Sequence, residues 1–389
     1  MKRVLPVLLV LALLLCACGT PEPTTAPTTQ PTTAPTTAPT TAPTTAPTTV
    51  PTTAPTTEPT TEPTTESTTE PTTEPTTAPT TEPTTAPTEP PVVFRNPLNG
   101  SVLDAPYEGR VFAVTINNIK AALPHRGVSQ ADVFFEMYIN SYATRGLALF
   151  SNVEEVESIG SVRSYRENFN ELCQAYQAIA LHAGNGHMAD GVDHYNVDYS
   201  YGYRDYDRYN KKGYAWEHTL FVTGEAAIKL AKKEGFDLNV TDKDYGMLFA
   251  EDGTPVNGED ASEVEVVFTL DGFKKRTIMK YDAEVSKYIF WQYDKKMVDE
   301  NNGKAEGFTN VIVILTKVET DTLGYHMADL YGQGTGYYAC GGKIVKIKWV
   351  HENETDPITF YLEDGTPLQQ GVGSTYIAIA PSKSPVNYK

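Results

Sequence analysis

Apolar and polar positions alternate along the chain in two different ways. Between about residues 92 and 258, short apolar runs rich in β-branched and aromatic residues predict buried strands. These runs are Val111–Asn117, Ala131–Ile139, Leu147–Phe150 and Ala178–Leu181. An amphipathic pattern from Gly224 to Lys233, followed by Gly235, predicts a helix with a glycine stop. Strands mixed with helices in this order predict an α/β or α+β domain.

From Glu263 onward the pattern is that of β-structure. Val264, Val266, Phe268 and Leu270 lie two residues apart and therefore share one face of a strand. Further strands are predicted at Tyr288–Tyr293, Val311–Lys317, Ile344–Val350, Ile358–Leu362 and Tyr376–Ala380. No long amphipathic helix is evident, so this part is expected to be mainly β. Because so long a folded region usually divides into domains, we predict an N-terminal domain at 92–258 and a C-terminal domain at 259–389.

The N-terminus predicts export and lipidation. A short basic start and the apolar run Val4–Leu15 form a signal peptide that is too short to span a bilayer. The sequence Leu15-Cys-Ala-Cys18-Gly19 is similar to the bacterial lipobox, which implies cleavage after residue 17 and lipidation of Cys18. Two acyl chains on Cys18 would anchor the chain stably to a membrane. We therefore expect a protein on the extracytoplasmic face of the cell membrane.

Residues 18–91 consist almost entirely of Pro-Thr-Thr-Ala and Pro-Thr-Thr-Glu repeats. Such a segment has too few apolar residues to offset the entropy of ordering, so we predict a disordered tether. The chain carries a formal net charge of −18, and the part after the tether is also acidic. An acidic ectodomain argues against nucleic acid as its partner. Beyond the lipobox, Cys173 and Cys340 are compatible with either a disulfide or two buried thiols.

An arginine-rich segment, Ile159–Arg166, precedes another predicted helix. Ser164 and Glu167 have the spacing of a capping box, which predicts a helix from Tyr165 to about Tyr176 with Ser164 as its cap. Arg163 and Arg166, together with Arg145, supply guanidinium groups suited to a carboxylate or a phosphate. The alternative is that these arginines pair with carboxylates in a structural network, for which the candidates are Glu136, Glu167 and Glu171.

Histidines and acidic residues follow the predicted strand that ends at Leu181. His182, with Asp193 to orient it, is the candidate general base. His182, His187 and His194 show none of the spacings typical of metal sites, so we expect neither a metal nor a cofactor. A nucleophile is also hard to identify, because Ser164 is expected to act as a cap and Cys173 lies in an apolar helix.

Tyrosines are concentrated between Tyr195 and Trp216. Their flat rings with polar tips suit sugar rings or a protein partner, and Tyr203 and Trp216 are the residues we select as candidates. The alternative is a long ordered loop whose tyrosines only cover the domain.

The chain resembles the YerB-like lipoproteins of Gram-positive bacteria, a family with two domains and no determined biochemical function. In the first half the resemblance rests on Asn96–Gly100, Ser129–Glu136, Thr144–Phe150, Ile159–Arg166 and Leu181–Gly184. In the second half it rests on Gly334–Gly336, Gly342–Trp349, Asp364–Pro367 and Gly371–Ile379. Trp216-Glu-His218-Thr219 stands where the family tends to have Pro-His-Asn, so only His218 carries over there. The resemblance implies an extracytoplasmic lipoprotein with a two-domain body and supplies no reaction.

Two functional hypotheses follow from the sequence. The favoured one is a non-catalytic lipoprotein that binds an anionic or glycan-like ligand of the cell envelope, either a cell-wall polymer or an envelope protein. Its predicted binding residues are Arg145, Arg163, Ser164, Arg166, His182, Tyr203, Trp216 and His218. The alternative is an envelope-polymer hydrolase or transferase that uses His182 and Asp193, with Arg163 and Arg166 holding the substrate.

Overall fold

The structure is a computed structural model that describes residues 92–140, 143–197, 206–208, 213–240 and 243–389. The predicted signal peptide, the lipidation site Cys18, the tether and Tyr203 lie outside these residues. The first half of the described chain contains two α-helices, α1 (Glu167–Ala175) and α2 (Gly224–Glu234). Its strands are β1 (Phe94–Arg95), β2 (Val102–Leu103), β3 (Phe112–Asn117), β4 (Val133–Asn140), β5 (Ala143–Phe150), β6 (Ile159–Gly160), β7 (Ile179–His182), β8 (His194–Asn196), β9 (Tyr206–Arg208), β10 (Leu220–Val222) and β11 (Leu248–Ala250).

Single turns of 3₁₀-helix occur at Lys120–Ala122, Val128–Gln130, Gly186–Met188 and Trp216–His218. The second half contains strands only among its regular elements. These are β12 (Glu259–Asp260), β13 (Glu263–Leu270), β14 (Phe273–Asp282), β15 (Lys287–Gln292), β16 (Lys295–Lys296), β17 (Gly307–Phe308), β18 (Asn310–Thr316), β19 (Val318–Thr320), β20 (His326–Ala328), β21 (Gly332–Cys340), β22 (Lys343–His351), β23 (Thr359–Leu362), β24 (Gln369–Gly371), β25 (Thr375–Pro381) and β26 (Val386–Tyr388).

One large sheet runs through both halves of the chain. Its strand order is β12-β22-β21-β18-β25-β4-β5-β3-β7-β8, with β23 paired to β22. The halves meet where β25 pairs in parallel with β4, with Tyr376 opposite Phe134 and Ala378 opposite Glu136. A second sheet, β16-β15-β14-β13-β26, is built from the second half and also includes β17. The folded region is therefore rich in strands throughout.

The central strands of the large sheet are buried on both faces. In β4, Phe134 and Tyr138 pack into one hydrophobic cluster, while Phe135 and Met137 pack into the cluster on the opposite face. This arrangement follows from the alternation of side chains along a strand. It also explains why the central strands are continuous apolar runs in the sequence, as is usual for strands covered on both faces.

The predicted strands at Val111, Ala131, Leu147 and Ala178 are all present, with ends that differ by a few residues. Two long strands, β14 and β21, were not predicted from the sequence. The reason is clear in β21, which contains Gly332, Gly334 and Gly336 and therefore has the composition of a turn. A Cβ atom on Gly334 would lie 2.5 Å from the Trp349 ring, and one on Gly336 would lie 2.0 Å from the Val313 carbonyl oxygen. Close packing thus requires glycine inside this strand.

Cys173 and Cys340, for which the sequence allowed either a disulfide or two buried thiols, are free, buried thiols. Burial raises the pKa of Cys173 to about 12, so this thiol is held in its neutral, unreactive form.

Candidate functional site

The arginine-rich segment lies across the ends of β3 and β7. The backbone N–H of Arg163 donates to the carbonyl oxygen of Thr115 over 3.1 Å, and the N–H of Ala183 donates to that of Arg163 over 2.9 Å. The N–H of Tyr165 donates to the carbonyl of Gly184 over 3.0 Å. Because these bonds hold residues 163–166 in an extended conformation, the segment is a fixed edge rather than a loose turn.

The helix that follows does not begin where the capping box predicted. Helix α1 starts at Glu167, its N-cap residue is Arg166, and no side chain caps it. The prediction that Ser164 caps the helix is therefore wrong. The physical reason is that backbone bonds hold residues 163–165 along the sheet edge and Arg166 is still extended, with φ of −140° and ψ of 151°, so the helix begins only at Glu167. The Ser164 carbonyl instead accepts a hydrogen bond from Arg145.

Two arginines are buried at this edge with only neutral partners. Arg145 is 6 % exposed, and its Nη1 donates to the carbonyl oxygen of Ser164 over 2.8 Å. Arg166 is 9 % exposed, and its Nη1 donates to the carbonyl oxygen of Tyr165 over 2.6 Å. In both residues Nε is buried and has no hydrogen-bond partner. Within the described part of the chain, neither arginine forms a salt bridge.

The electrostatics follow from this crowding of positive charge. Burial, and then the neighbouring charges of Arg166 and Arg163, lower the pKa of Arg145 well below its ordinary value. Burial also lowers the pKa of Arg166, while Tyr325 acts in the opposite direction. The Arg166 guanidinium lies 4.6 Å from the centre of the Tyr325 ring, so an aromatic face covers one side of it.

The predicted structural alternative was that these arginines pair with nearby carboxylates, and for Arg145 and Arg166 the described residues show no such pair. Glu136 pairs with Lys275 instead. Oε2 of Glu171 is buried without a hydrogen-bond partner, and burial followed by repulsion from neighbouring carboxylates raises the pKa of Glu171 to about 7. Glu167 is exposed at the start of α1. None of the three forms a salt bridge with Arg145 or Arg166.

His218 belongs to the same neighbourhood. Its Nδ1 lies 2.9 Å from Nδ2 of Asn117, which is paired with Arg145 across the sheet. An amide nitrogen only donates, so Nδ1 accepts and Nε2 carries the proton of the neutral ring. Burial lowers the pKa of His218, Glu217 acts against this, and Arg163 lowers the pKa further. Arg163 Nη1 also donates to the Glu217 carbonyl over 3.1 Å, which connects this turn to the arginine segment.

His182 is fully buried and both of its ring nitrogens are engaged. Nδ1 donates to the Gly184 carbonyl over 3.1 Å, so Nε2 accepts, over 2.9 Å, from Nδ1 of His194. Burial, and secondly the neighbouring His194, lower the pKa of His182 to about 4. Asp193 does not bond to His182, because its Oδ2 accepts from Nη2 of Arg110 over 2.9 Å. The structure therefore does not join the two candidate catalytic residues.

The structure brings together most of the predicted binding residues. Arg145, Arg163, Ser164 and Arg166 are linked by backbone bonds and mutual charge effects, and His218 joins them through Arg163. His182 is connected to this group through Gly184, whose carbonyl oxygen accepts hydrogen bonds from both the His182 ring and the Tyr165 N–H. Trp216 is 69 % exposed and begins the 3₁₀ turn that contains His218.

Two residues of this neighbourhood were missed from the sequence. Asn117 ends strand β3, and an asparagine pair at the end of an apolar run was the signal that could have identified it. Tyr325 comes from the distant second half and has no such signal. Among the described residues, no group of three or more histidine, cysteine or acidic side chains could hold a metal ion.

Comparisons with known proteins agree with this architecture. Residues 98–237 match the family described as "Protein of unknown function (DUF3048) N-terminal domain", and residues 268–377 match its C-terminal counterpart. The "Putative lipoprotein YerB" of Bacillus subtilis is 25 % identical over 287 residues, which span 70 % of this chain and 82 % of that protein. The crystal structure of YerB superimposes with a TM-score of 0.64 at 24 % identity, covering 75 % of this chain and 99 % of the other, and shows the fold.

These matches first define a class, the proteins whose strand-rich body consists of the two DUF3048 domains, and this class includes a protein named as a putative lipoprotein. Within that class the chain belongs to the YerB-like family, as the sequence motifs predicted. No helix in the ranges that the structure describes has the length and apolar character needed to cross a membrane.

Proposed function

We propose that this protein is a lipid-anchored binding protein of the cell surface that holds an anionic cell-envelope ligand. The ligand binds at residues 163–166 together with Arg145, which we call the arginine edge. In this proposal Cys18 carries the anchor and residues 18–91 form the tether. The binding residues are Arg145, Arg163, Ser164, Arg166 and His218, with Trp216 at the exposed rim. The ligand is part of a cell-wall polymer or of an envelope protein.

One observation carries the proposal. Arg145 and Arg166 are more than nine-tenths buried, yet the described residues offer them carbonyl oxygens and no carboxylate. A buried charge is costly unless an opposite charge compensates it. The cost of burying these two guanidinium groups is therefore offset when an anion binds beside them.

The hydrolase or transferase alternative has no comparable support. It requires His182 to accept a proton with Asp193 orienting the ring. Nε2 of His182 instead accepts a hydrogen bond from His194, and Asp193 is paired with Arg110. We therefore do not propose a reaction.

The proposal is tested by co-sedimentation of the full chain, purified in detergent, with purified cell walls. In the double variant Arg145→Lys, Arg166→Lys both charges remain but the planar forks are lost, so we expect binding to weaken by about tenfold or more. Arg276→Gln is the matched control, because this arginine is 58 % exposed on the second sheet and should leave binding unchanged.

Two outcomes of this experiment would count against the proposal. Binding that is unaffected in the double variant would exclude the arginine edge as the site. Release of soluble wall fragments by the unmodified chain, abolished by His182→Ala, would favour the enzymatic alternative. Fragment release is measured by mass spectrometry on the same samples.

A further inference from the structure

We infer that Lys275 and Asn118 become joined by an intramolecular isopeptide bond between Nζ of the lysine and Cγ of the asparagine. Asn118 directly follows strand β3, in the segment matched by the N-terminal family domain. Lys275 lies on β14, in the segment matched by the C-terminal one. The bond would therefore connect the two segments covalently. It lies apart from the arginine edge and does not depend on what binds there.

Glu136 holds the two reacting side chains on one oxygen atom. Its Oε1 accepts a hydrogen bond from Nζ of Lys275 and another, over 3.0 Å, from Nδ2 of Asn118. Because Nζ and Nδ2 share this acceptor, at most two hydrogen-bond lengths, roughly 6 Å, separate them. The flexible Lys275 side chain thus has to move its amine by only a few ångströms to come within about 3–3.5 Å of Cγ, the distance from which a nucleophile attacks.

Burial prepares the lysine for this role. Glu136 and Asn118 have no exposed surface, and Lys275 is 4 % exposed. Burial lowers the pKa of Lys275, while the attraction of Glu136 acts in the opposite direction. An amine attacks a carbonyl carbon only in its neutral form, and the ammonium proton can pass to the carboxylate along the hydrogen bond that joins them. Because water is excluded from this interior, the amine does not compete with hydrolysis for the amide.

Gln292 polarises the amide that is attacked. Its Nε2 donates to Oδ1 of Asn118 over 2.7 Å, and the residue is 1 % exposed. This donor draws electrons from Cγ and stabilises the negative charge that develops on Oδ1 during attack. Nδ2, the nitrogen that leaves, is bonded to Glu136 on the other side of the amide. The carboxyl group that receives the proton of Lys275 therefore lies next to the atom that needs one.

The reaction balances without a co-reactant. Glu136 takes a proton from the Lys275 ammonium, and the neutral Nζ forms a bond to Cγ of Asn118. As this intermediate collapses, Nζ loses a second proton through Glu136 to Nδ2, the Cγ–Nδ2 bond breaks and ammonia leaves. The remaining proton departs with it as ammonium, and Glu136 is again a carboxylate. One amide replaces another, nothing is oxidised or reduced, and the ion pair of Lys275 with Glu136 is the state before the bond forms.

Peptide mapping of the unmodified full chain tests the bond directly. The chain is purified in detergent, denatured, digested with trypsin and analysed by tandem mass spectrometry. Trypsin does not cleave after a lysine whose Nζ is acylated, so we expect Val111–Lys120 joined to Lys275–Arg276. The mass should be that of the two peptides less one ammonia, and fragmentation should place the bond at Asn118 rather than Asn117. Recovery of Val111–Lys120 only as a free peptide would overturn the inference.

Variants test how the bond forms, with the joined peptide followed over time in newly synthesised chain. Glu136→Gln keeps both ends of the bond and removes the proton carrier, so we expect no joined peptide. Gln292→Met keeps the Lys275–Glu136 ion pair and should slow joining by about 100-fold or more. This second variant serves because the loss of a buried charge can itself prevent folding.

The matched control is Lys274→Arg, which changes the exposed lysine next to Lys275 and keeps the trypsin site. It should be joined as fast and as completely as the unmodified chain. Joining at an unchanged rate in either Glu136→Gln or Gln292→Met would contradict the roles assigned to these residues.

Discussion

At the scale of single residues, burial determines what the histidines of this site can do. His182 is fully buried and keeps its ring neutral by donating from Nδ1 and accepting at Nε2. Protonation at Nε2 would place two N–H groups against each other at the His194 contact. A residue that the sequence marked as a general base is therefore part of a hydrogen-bonded pair that supports the loop next to Ser164.

This pair predicts a loss of stability in acid. The folded pKa of His182, about 4, lies below the ordinary value of 6.5, so the unfolded chain binds more protons between these values. The contribution is complete above pH 6.5 and is lost as the pH falls toward 4, amounting to at most about 3 kcal/mol. We expect His182→Gln to have a shallower decline in unfolding free energy between pH 7 and 4, as measured by urea denaturation.

The matched control for this prediction is His187→Gln. His187 is exposed in the same loop, so its replacement should leave the pH dependence of stability as it is in the unmodified chain. If His182→Gln and the unmodified chain lose stability in parallel on acidification, the histidine pair is not responsible for the loss.

At the scale of secondary-structure elements, the two α-helices begin in different ways. Helix α2 has a conventional cap, because the Thr223 side chain accepts from the backbone N–H of Ala226 over 3.1 Å. Its end at Gly235, with φ of 77°, agrees with the predicted stop. Helix α1 has no side-chain cap, because the residues before it are held by β3 and by the loop after β7.

The difference between the helices predicts different responses to matched substitutions. Thr223→Ala should lower the free energy of unfolding by about 1 kcal/mol, while Thr223→Ser should restore most of it. Ser164→Ala removes no cap and should change stability by less than about 0.5 kcal/mol. Urea denaturation of the three variants provides the measurement. A loss for Ser164→Ala as large as that for Thr223→Ala would mean that Ser164 does stabilise the start of α1.

Some of these secondary-structure elements could be predicted from the sequence and others could not. The apolar runs identified the central strands, since a strand buried on both faces must be apolar throughout. The predicted start of α1 was wrong because the capping-box spacing is a local signal, whereas the bond from Tyr165 to Gly184 joins segments that are apart in the sequence. Strand β21 was missed because its glycines are needed for packing against Trp349 and the Val313 backbone, and only tertiary structure reveals such a need.

In the candidate site, too, some features could be predicted from the sequence and others depend on the fold. Arg163 and Arg166 could be identified because they are close together in sequence and precede a helix. Their burial could not be predicted, and neither could the contact between Arg166 and Tyr325, which lie in different halves of the chain. Residue type predicted the class of ligand, an anion. Which guanidinium nitrogens are engaged by backbone carbonyls depends on the fold.

At the scale of the whole molecule, a buried polar network joins the segments matched by the two family domains. Glu136 on β4 is fully buried and forms an ion pair with Lys275 on β14. Its oxygens also accept hydrogen bonds from Asn118, Thr144, Thr277 and Tyr376. Burial by itself would raise the pKa of Glu136, but the Lys275 ammonium and the hydrogen bonds from Thr144 and Tyr376 lower it below its ordinary value.

A second buried contact crosses the same boundary. Nδ1 of His125 lies 3.0 Å from Oε2 of Glu306, and both side chains are completely buried. The backbone N–H and hydroxyl of Ser129 both donate to Oδ2 of Asp299. With the β4–β25 pairing, these contacts make the two segments parts of one sheet and one packed interior.

This continuity leads to a prediction about folding. We expect the body to unfold in a single cooperative transition, and we expect residues 92–258 expressed alone to remain largely unfolded. Without β25, strand β4 would have an unpaired edge, and Glu136 would be a buried carboxylate without its ammonium partner.

Glu136→Gln in the full chain should lower the free energy of unfolding by about 3 kcal/mol or more, because it leaves Lys275 buried and uncompensated. The exposed neighbour Lys274→Gln is the control and should change stability by less than about 0.5 kcal/mol. Amide hydrogen exchange in denaturant, resolved by segment, measures the cooperativity of unfolding. The slowest amides of β4 and of β18 should have the same opening free energy, and Glu136→Gln should lower the two opening free energies equally. Two separate opening energies, with only one responding to the substitution, would show instead that the segments are independently folding domains.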